Sequence, residues 1–446
     1  MLVFIGVVAT AAFWHKYQLY GHSADLDFFR QLTFDRCIQG GMLFPRYVPD
    51  TYFGIGSPLF HFYAPLPYYF TEIFVLLGVS VVASIKATFV FTLILSGLAM
   101  YLFCRDFSGR LISFVAGLAY MFAPYHMVDM VVRGAIGEHV AFAFIPLGAW
   151  GLSGMLVDKR PRRLIVGAMA MAALILTHNI TAMLAFGAFA LWWLILFLWT
   201  KDKKGAVWGG ALLAAGLLLA VFFWAPVLVE KDLTYAEESL TQGYFVYSDH
   251  FVYPFQLIQP SWGYGGSRKG ITGDNMSYQV GIPHLLFVLA TLMVFVFSLY
   301  RKSRAAPLLL FGFILFLGSA FFTLPFSNFM YRLLPILTYT QFPWRFLVFV
   351  AFSSSMLAVS LGLLAKAIKS PYALPIIVAI AGILIVSFYG KYAKPAFQVF
   401  DGERQKFTYV TLESAKSLDG KPGYLQAWEV GGLRFMRNIG EPCTSR

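Results

Sequence analysis

Apolar runs of similar length, separated by short polar connections, dominate the chain. The clearest cover residues 83–103, 110–124, 138–155, 163–180, 182–199, 206–229, 282–300, 307–323, 345–365 and 372–390. Most approach the roughly 20 residues a helix needs to cross about 30 Å of hydrocarbon, so they predict transmembrane helices. The polar connections alternate in charge. Arg105 and Arg110, then Lys159, Arg160, Arg162 and Arg163, then Lys201, Lys203 and Lys204, then Arg301, Lys302 and Arg304, then Lys366 and Lys369 all fall on one side. Lysine and arginine collect in cytoplasmic loops, which makes that side cytoplasmic. Segments 125–137, 230–281, 324–344 and the tail from Lys391 are then external. The first apolar run, Met1–Trp14, is short for a span and lacks a small-residue cleavage site after it. It reads as an uncleaved, or truncated, first helix rather than a signal peptide.

Two stretches of the first external loop, 15–82, break the alternation. Residues 25–41 read as an amphipathic helix, with Leu26, Phe29, Leu32 and Phe34 opposed to Asp27, Arg30, Gln31 and Asp35. Residues 59–79 are apolar enough to span, but Pro65, Pro67, His61 and several tyrosines interrupt them. A broken or interface-lying helix fits better than a full crossing, because proline removes backbone donors and aromatics favour the headgroup layer. The expected organisation is an all-α polytopic bundle of about eleven spans over residues 1–390. A large external loop at 230–281 and a small external appendage at 391–446, with a strand-like run at Phe407–Leu412, complete it.

Composition sharpens this reading. The chain is 59% hydrophobic and 13% charged over 446 residues, more apolar side chain than a soluble protein can cover. The formal charge of +12 sits mostly in the connections on one side, so it sets topology and gives no reason to expect nucleic-acid binding. Cys37, Cys104 and Cys443 have no metal-ligand or redox spacing. Cys104 is placed in the cytosol and the other two outside, where a disulfide or, more simply, two free thiols are open.

Candidate chemistry gathers on the external side. Asp25 and Asp27 lie just past the first run, in Gly21-His22-Ser23-Ala24-Asp25-Leu26-Asp27-Phe28-Phe29-Arg30. Carboxylates there can act as a general base or as oxygen ligands for Mg²⁺ or Mn²⁺. Asp25 can equally cap its helix, and the roles are compatible. Glu138, at the external start of a span, either complements the helix dipole or joins Asp27 in a metal or acid/base site. His178 and Asn179 interrupt apolar sequence and are open to a helix–helix hydrogen bond or, for His178, a ligand role. Arg345 opens a span at the external surface, where it either snorkels to lipid phosphate or clamps a substrate phosphate. Arg133 and Lys231 are further candidates for that clamp, beside Glu230.

Several motifs resemble bacterial membrane proteins with a 6-pyruvoyl-tetrahydropterin synthase-related domain. They are Phe44-Pro45-Arg46-Tyr47, the run Gly54 to Tyr69, Arg133-Gly134-Ala135 with Glu138, Thr177-His178-Asn179, Trp224-Ala225-Pro226 with Glu230, and Gln341-Phe342-Pro343-Trp344-Arg345. The family name misleads, since nothing in this hydrophobic chain resembles a soluble pterin synthase. In layout these proteins, like the YfhO-like membrane proteins, are similar to the C-type (GT-C) glycosyltransferases. The resemblance implies juxtamembrane helices in the first external loop and an acid there, which Asp25 matches. It implies a second acid in the next external loop, where Glu138 stands. Many relatives place the first acid directly after a histidine, whereas Ser23 and Ala24 here separate His22 from Asp25, so Asp27 stays open as the alternative. The implied activity is transfer of a sugar from a polyprenyl-phosphate-linked donor to a glycan, lipid or protein acceptor. It would occur at the outer face of a bacterial inner membrane. A lipid-linked sugar flippase or a membrane scaffold is the alternative, though a carrier should show mid-membrane charges and repeat symmetry.

Overall fold

Backbone groups in hydrocarbon can be satisfied only from within the chain, so the apolar runs close into helices. The computed structural model describes residues 1–14, 18–19, 21–51, 55–156, 161–235, 240–270 and 274–398. Among these, six helices are long and apolar enough to cross a membrane singly: Val81–Arg105, Asn179–Thr200, Ile282–Tyr300, Ala306–Thr323, Pro343–Ile368 and Ala373–Ala393. Two bent pairs raise the number to as many as eight. Ile136–Ser153 and Pro161–Thr177 match two further expected runs, but the first carries Glu138, His139 and Pro146 and the second has 17 residues.

The bent pairs correct the expectation of straight spans at 110–124 and 206–229. Arg110–Met121 continues as Pro124–Arg133 after a 41° bend, and its last five residues, Asp129–Arg133, form a π turn. Lys203–Leu219 meets Val221–Leu233 at 66°. Pro226 sits inside that second segment and cannot donate to the carbonyl of Phe222 four residues earlier. Arg46 supplies the missing donor, at 2.9 Å. Pro146 leaves the carbonyl of Phe142 in the same position, and the Tyr120 hydroxyl takes it at 3.0 Å. Small residues let neighbouring spans close up. A Cβ on Gly117 would stand 2.6 Å from the Gly97 carbonyl oxygen, and one on Gly151 2.6 Å from the Gly167 Cα.

The first loop holds the helix Ala24–Gln39 and a broken helix, Leu59–Phe62 then Leu66–Leu76, as the sequence suggested. The second piece has 11 residues, too few to cross. The orientation of Ala24–Gln39 differs from the expected one. Asp27, Gln31 and Asp35, one stripe at i, i+4 and i+8, are buried, while Leu26 is 41% exposed. Polar groups near lipid are cheapest when they find partners inside the protein. Here Tyr68 donates to Asp27 at 2.8 Å and Gln31 to Glu72 at 2.8 Å.

Charge parity along the chain is reflected in space. The pair Arg110–Arg133 and the span Pro343–Ile368 each carry a site arginine, Arg133 or Arg345, at one end and Arg110 or Lys366 at the other. At that second end Arg163 grips Asp106 with two bonds of 2.5 and 2.9 Å. Segments distant along the chain also meet. Tyr392 stacks on Trp262 at 4.2 Å, and Phe397–Gln398 pairs antiparallel with Gln18–Leu19. Lys159, Arg160, Cys443 and the run Phe407–Leu412 lie outside the described residues. Cys37 and Cys104 are both buried.

Candidate active site

The π turn Asp129–Arg133 ends at Gly134, whose φ of +60° is left-handed and suits a residue without Cβ. The chain then reverses into the helix that begins at Ile136. Onto this corner docks the start of the first-loop helix. Ser23 donates its amide to the Arg133 carbonyl at 2.9 Å and His22 to that of Val132 at 3.3 Å. A Cβ on Gly21 would lie 3.1 Å from the Gly134 nitrogen, so glycine at 21 permits this approach.

The two aspartates therefore face different surroundings. Asp27 is buried and fully engaged. Its Oδ1 accepts from Tyr68 at 2.8 Å and from Arg30 at 3.2 Å, and its Oδ2 accepts from the Ile136 amide at 3.4 Å. It thus shares the amide at the start of the Glu138 helix with the Gly134 carbonyl, 3.1 Å from that nitrogen, and ties the first-loop helix to the Glu138 helix. Burial pushes its carboxyl above the usual aspartate range, and Arg30, Tyr68 and the Ile136 amide act against that rise. Asp25, two residues earlier in the first turn, is exposed. The N-cap position expected for it belongs to Ser23, one turn boundary earlier than the sequence suggested.

Behind the corner lies a buried four-charge cluster. Arg133 donates to Glu138 at 2.7 Å and to the Tyr125 hydroxyl at 3.0 Å, and it pairs with Asp129. Tyr125 donates to the other oxygen of Glu138 at 2.8 Å. The Trp344 ring covers the Arg133 guanidinium at 4.7 Å. Arg345 donates to the Thr340 carbonyl at 2.9 Å and to Gln341 Oε1 at 2.6 Å. Gln341 has a φ of 62°, an uncommon conformation for a residue with a side chain, and it holds this arginine. Arg345 Nε stands 3.6 Å from Glu138, beyond hydrogen-bond reach, and with Trp344 Nε1 it is a buried donor lacking an acceptor.

His178 adjoins the cluster. A Cβ on Gly137 would lie 3.5 Å from its Cδ2, and its Nδ1 accepts the Thr181 amide at 3.2 Å as the cap of the next span. Asn179 donates to the Phe62 carbonyl at 3.1 Å. The structure thus brings together Asp27, Arg133, Glu138, His178 and Arg345. Glu230 and Lys231 make other pairings, Glu230 with His61 at 3.1 Å and Lys231 with Asp232 at 3.7 Å. Asp129 and Tyr125 were not anticipated, and Trp344 and Gln341 entered only as parts of the motif around Arg345. The i, i+4 spacing of Asp129 and Arg133 was the available sign of the first.

A divalent ion does not fit the expected Asp27–Glu138 pair. The oxygens of both carboxylates are occupied by arginine, tyrosine and amide donors, and no group of three or more His, Cys, Asp or Glu suited to a metal occurs among the described residues.

With its helices packed around the short pieces of the first loop and a charged cluster at one end, the fold resembles that of GT-C membrane glycosyltransferases. Three solved structures share it. The oligosaccharyltransferase AglB of Archaeoglobus fulgidus, in complex with an inhibitory peptide and a dolichol-phosphate, aligns over 98% of this chain and 61% of its own, with TM-score 0.56 and 14% identity. The mycobacterial arabinofuranosyltransferase AftD aligns over 92% of this chain and 28% of its own, with TM-score 0.56 and 14% identity. ArnT of Cupriavidus metallidurans, bound to undecaprenyl phosphate, aligns over 88% and 75%, with TM-score 0.52 and 13% identity. The chain belongs to the family of membrane proteins with a 6-pyruvoyl-tetrahydropterin synthase related domain, matched over residues 60–393. An uncharacterized protein of Lactococcus lactis subsp. cremoris (strain MG1363) is 25% identical over 324 residues, 70% of this chain and 51% of that relative. The chain thus spans about half the length of this curated relative.

Proposed function

We propose that this protein is a GT-C-type glycosyltransferase. It moves a sugar from a polyprenyl-phosphate-linked donor to an envelope acceptor at the outer face of a bacterial cytoplasmic membrane. About eleven spans, including Ile136–Ser153 and Pro161–Thr177, form its transmembrane domain over residues 1–390. The observation that carries the reading is the pair of buried donors, Arg345 Nε and Trp344 Nε1, left without acceptors beside a first-loop helix that presents an exposed carboxylate. A phosphate oxygen would satisfy such donors.

The reaction is a single displacement. An acceptor hydroxyl oxygen attacks the anomeric carbon, the bond from that carbon to the phosphate oxygen breaks, and configuration inverts. The bonding pair leaves with the polyprenyl phosphate. Asp25 takes the hydroxyl proton as the new bond forms. A carboxylate is too weak a base to remove that proton beforehand, so its contribution falls in the transition state, roughly 10²- to 10⁴-fold. Arg345 stabilises the charge that grows on the leaving phosphate. Glu138, gripped by Arg133 and Tyr125, orients that region, and Asp27 fixes the first loop against it. Lys231, outside the cluster, meets the lipid phosphate at the approach to the site, where the His61–Glu230 pair holds the broken helix.

The test starts from purified protein, with bound lipid identified by mass spectrometry. Release of polyprenyl phosphate from that lipid is then followed for wild type, Glu138→Gln and Arg345→Gln. Release by wild type, reduced in both variants, is expected. A lipid that crosses vesicle bilayers intact, with no release, would establish the carrier instead.

A further inference from the structure

The opposite end of the bundle carries an open cleft of about 1090 Å³. Five cations line it: Arg105 and Arg110 from the turn between two spans, Arg304 from another turn, and Lys366 and Lys369 from the end of Pro343–Ile368. None forms an ion pair with a described acid. The acid that also lines the cleft, Asp106, is spoken for by Arg163 at 2.5 and 2.9 Å and by Ser153 at 2.7 Å. Two helices start at the rim, Arg110–Met121 and Ala306–Thr323, neither with a side-chain cap nor an acid in its first turn. Their first-turn amides add partial positive charge there. The remaining wall holds Ser108, Ser303 and Ser370 and an apolar part that includes Leu111, Ile112 and Leu363, of which Leu111 is 45% exposed. Arg110 and Lys366 stand at the far ends of the spans that bear Arg133 and Arg345. With 1.5 Å per residue the two sites are roughly 30 Å apart, about one bilayer core.

A general inward bias of charge explains cations at this end but not their convergence. Arg301 and Lys302 lie in the same connection as Arg304, yet neither lines the cleft. We propose that this cleft is a binding site for the phosphate headgroup of an anionic phospholipid of the adjoining leaflet. The cations and helix starts receive the phosphoryl oxygens, and the Leu111–Leu363 wall takes the first methylenes of an acyl chain. The volume exceeds what a free phosphate needs and suits a glycerophosphate head. This site would tie the bundle to its anionic lipid whether or not sugar transfer occurs at the other end.

The test uses the full chain, delipidated in detergent and titrated with dioleoyl phosphatidylglycerol, dioleoyl phosphatidylcholine or inorganic phosphate, with native mass spectrometry as readout. Wild type should retain phosphatidylglycerol in preference to phosphatidylcholine, with millimolar phosphate a poor competitor. R110Q/R304Q/K366Q should weaken that retention by on the order of tenfold to a hundredfold. R301Q/K302Q, which removes charge from the same side outside the cleft, should match wild type. Equal retention by all three proteins, or efficient displacement by phosphate alone, would overturn the proposal. If the triple variant fails to insert, the wild type decides. A phosphatidylglycerol with a photoreactive headgroup should crosslink within residues 105–112, 303–305 or 362–371, and crosslinks confined to other segments would refute it.

Discussion

Two ends of one bundle treat charge in opposite ways. At one, Asp129 and Glu138 are buried against Arg133, with Arg345 alongside, and the signs balance. At the other, five cations stand around open space while the nearby acid is bound to a sixth. A balanced buried cluster is a fixed scaffold, because each member left alone would be a charge out of water. An unbalanced exposed group is a surface waiting for an anion, and its members are individually cheap to change. Burial also separates two neighbours: Asp27 is locked by three donors, whereas Asp25, two residues away, is exposed.

The largest expected effect breaks the balanced end. Arg133→Met leaves Asp129 and Glu138 buried with little compensation and should cost about 3–5 kcal/mol, seen as loss of folded protein or a steep fall in Tm. Arg345→Gln should spare more of the fold and lower sugar release about 10²- to 10³-fold, since it removes a donor from the developing phosphate charge. A smaller effect concerns Glu72, whose carboxyl is pushed up to about 7 by burial and the neighbouring Asp35 carboxylate. A folded-state pKa raised above the unfolded 4.5 means the native protein holds the extra proton. The contribution of Glu72 to stability should therefore be full below about pH 4.5 and be lost as pH rises through about 7. Glu72→Gln, which keeps an acceptor for Gln31, should flatten that decline in thermal melts. Least of all, Arg110→Gln alone at the open end should shift stability by under about 1 kcal/mol.

Much of this was legible in the chain. Apolar run length gave most spans, because crossing hydrocarbon leaves the backbone no choice but helix. Charge alternation grouped Arg133 with Arg345 and Arg110 with Lys366 before any coordinates. The break in 59–79 followed from its prolines. What escaped was set by tertiary partners. The helix Ala24–Gln39 looked like one that floats its apolar face on lipid, yet it turns Asp27, Gln31 and Asp35 inward because Tyr68 and Glu72 wait there. The carbonyl of Phe222 that Pro226 strands is served by Arg46, 176 residues away along the chain. Asp27 and Glu138 looked like a metal pair from their residue types, whereas arginine and tyrosine donors occupy both. Glu230 and Lys231, candidates for the phosphate site from their charge, pair with His61 and Asp232.

The division of labour between the two aspartates is the most direct point of attack. Rate of polyprenyl phosphate release and Tm would be measured together for Asp25→Asn and Asp27→Asn. The expected outcome for Asp25→Asn is a rate at least about 100-fold lower at an unchanged Tm. Asp27→Asn should lose about 1–3 kcal/mol of stability while its folded fraction keeps most of the rate. A wild-type rate in Asp25→Asn would contradict the account.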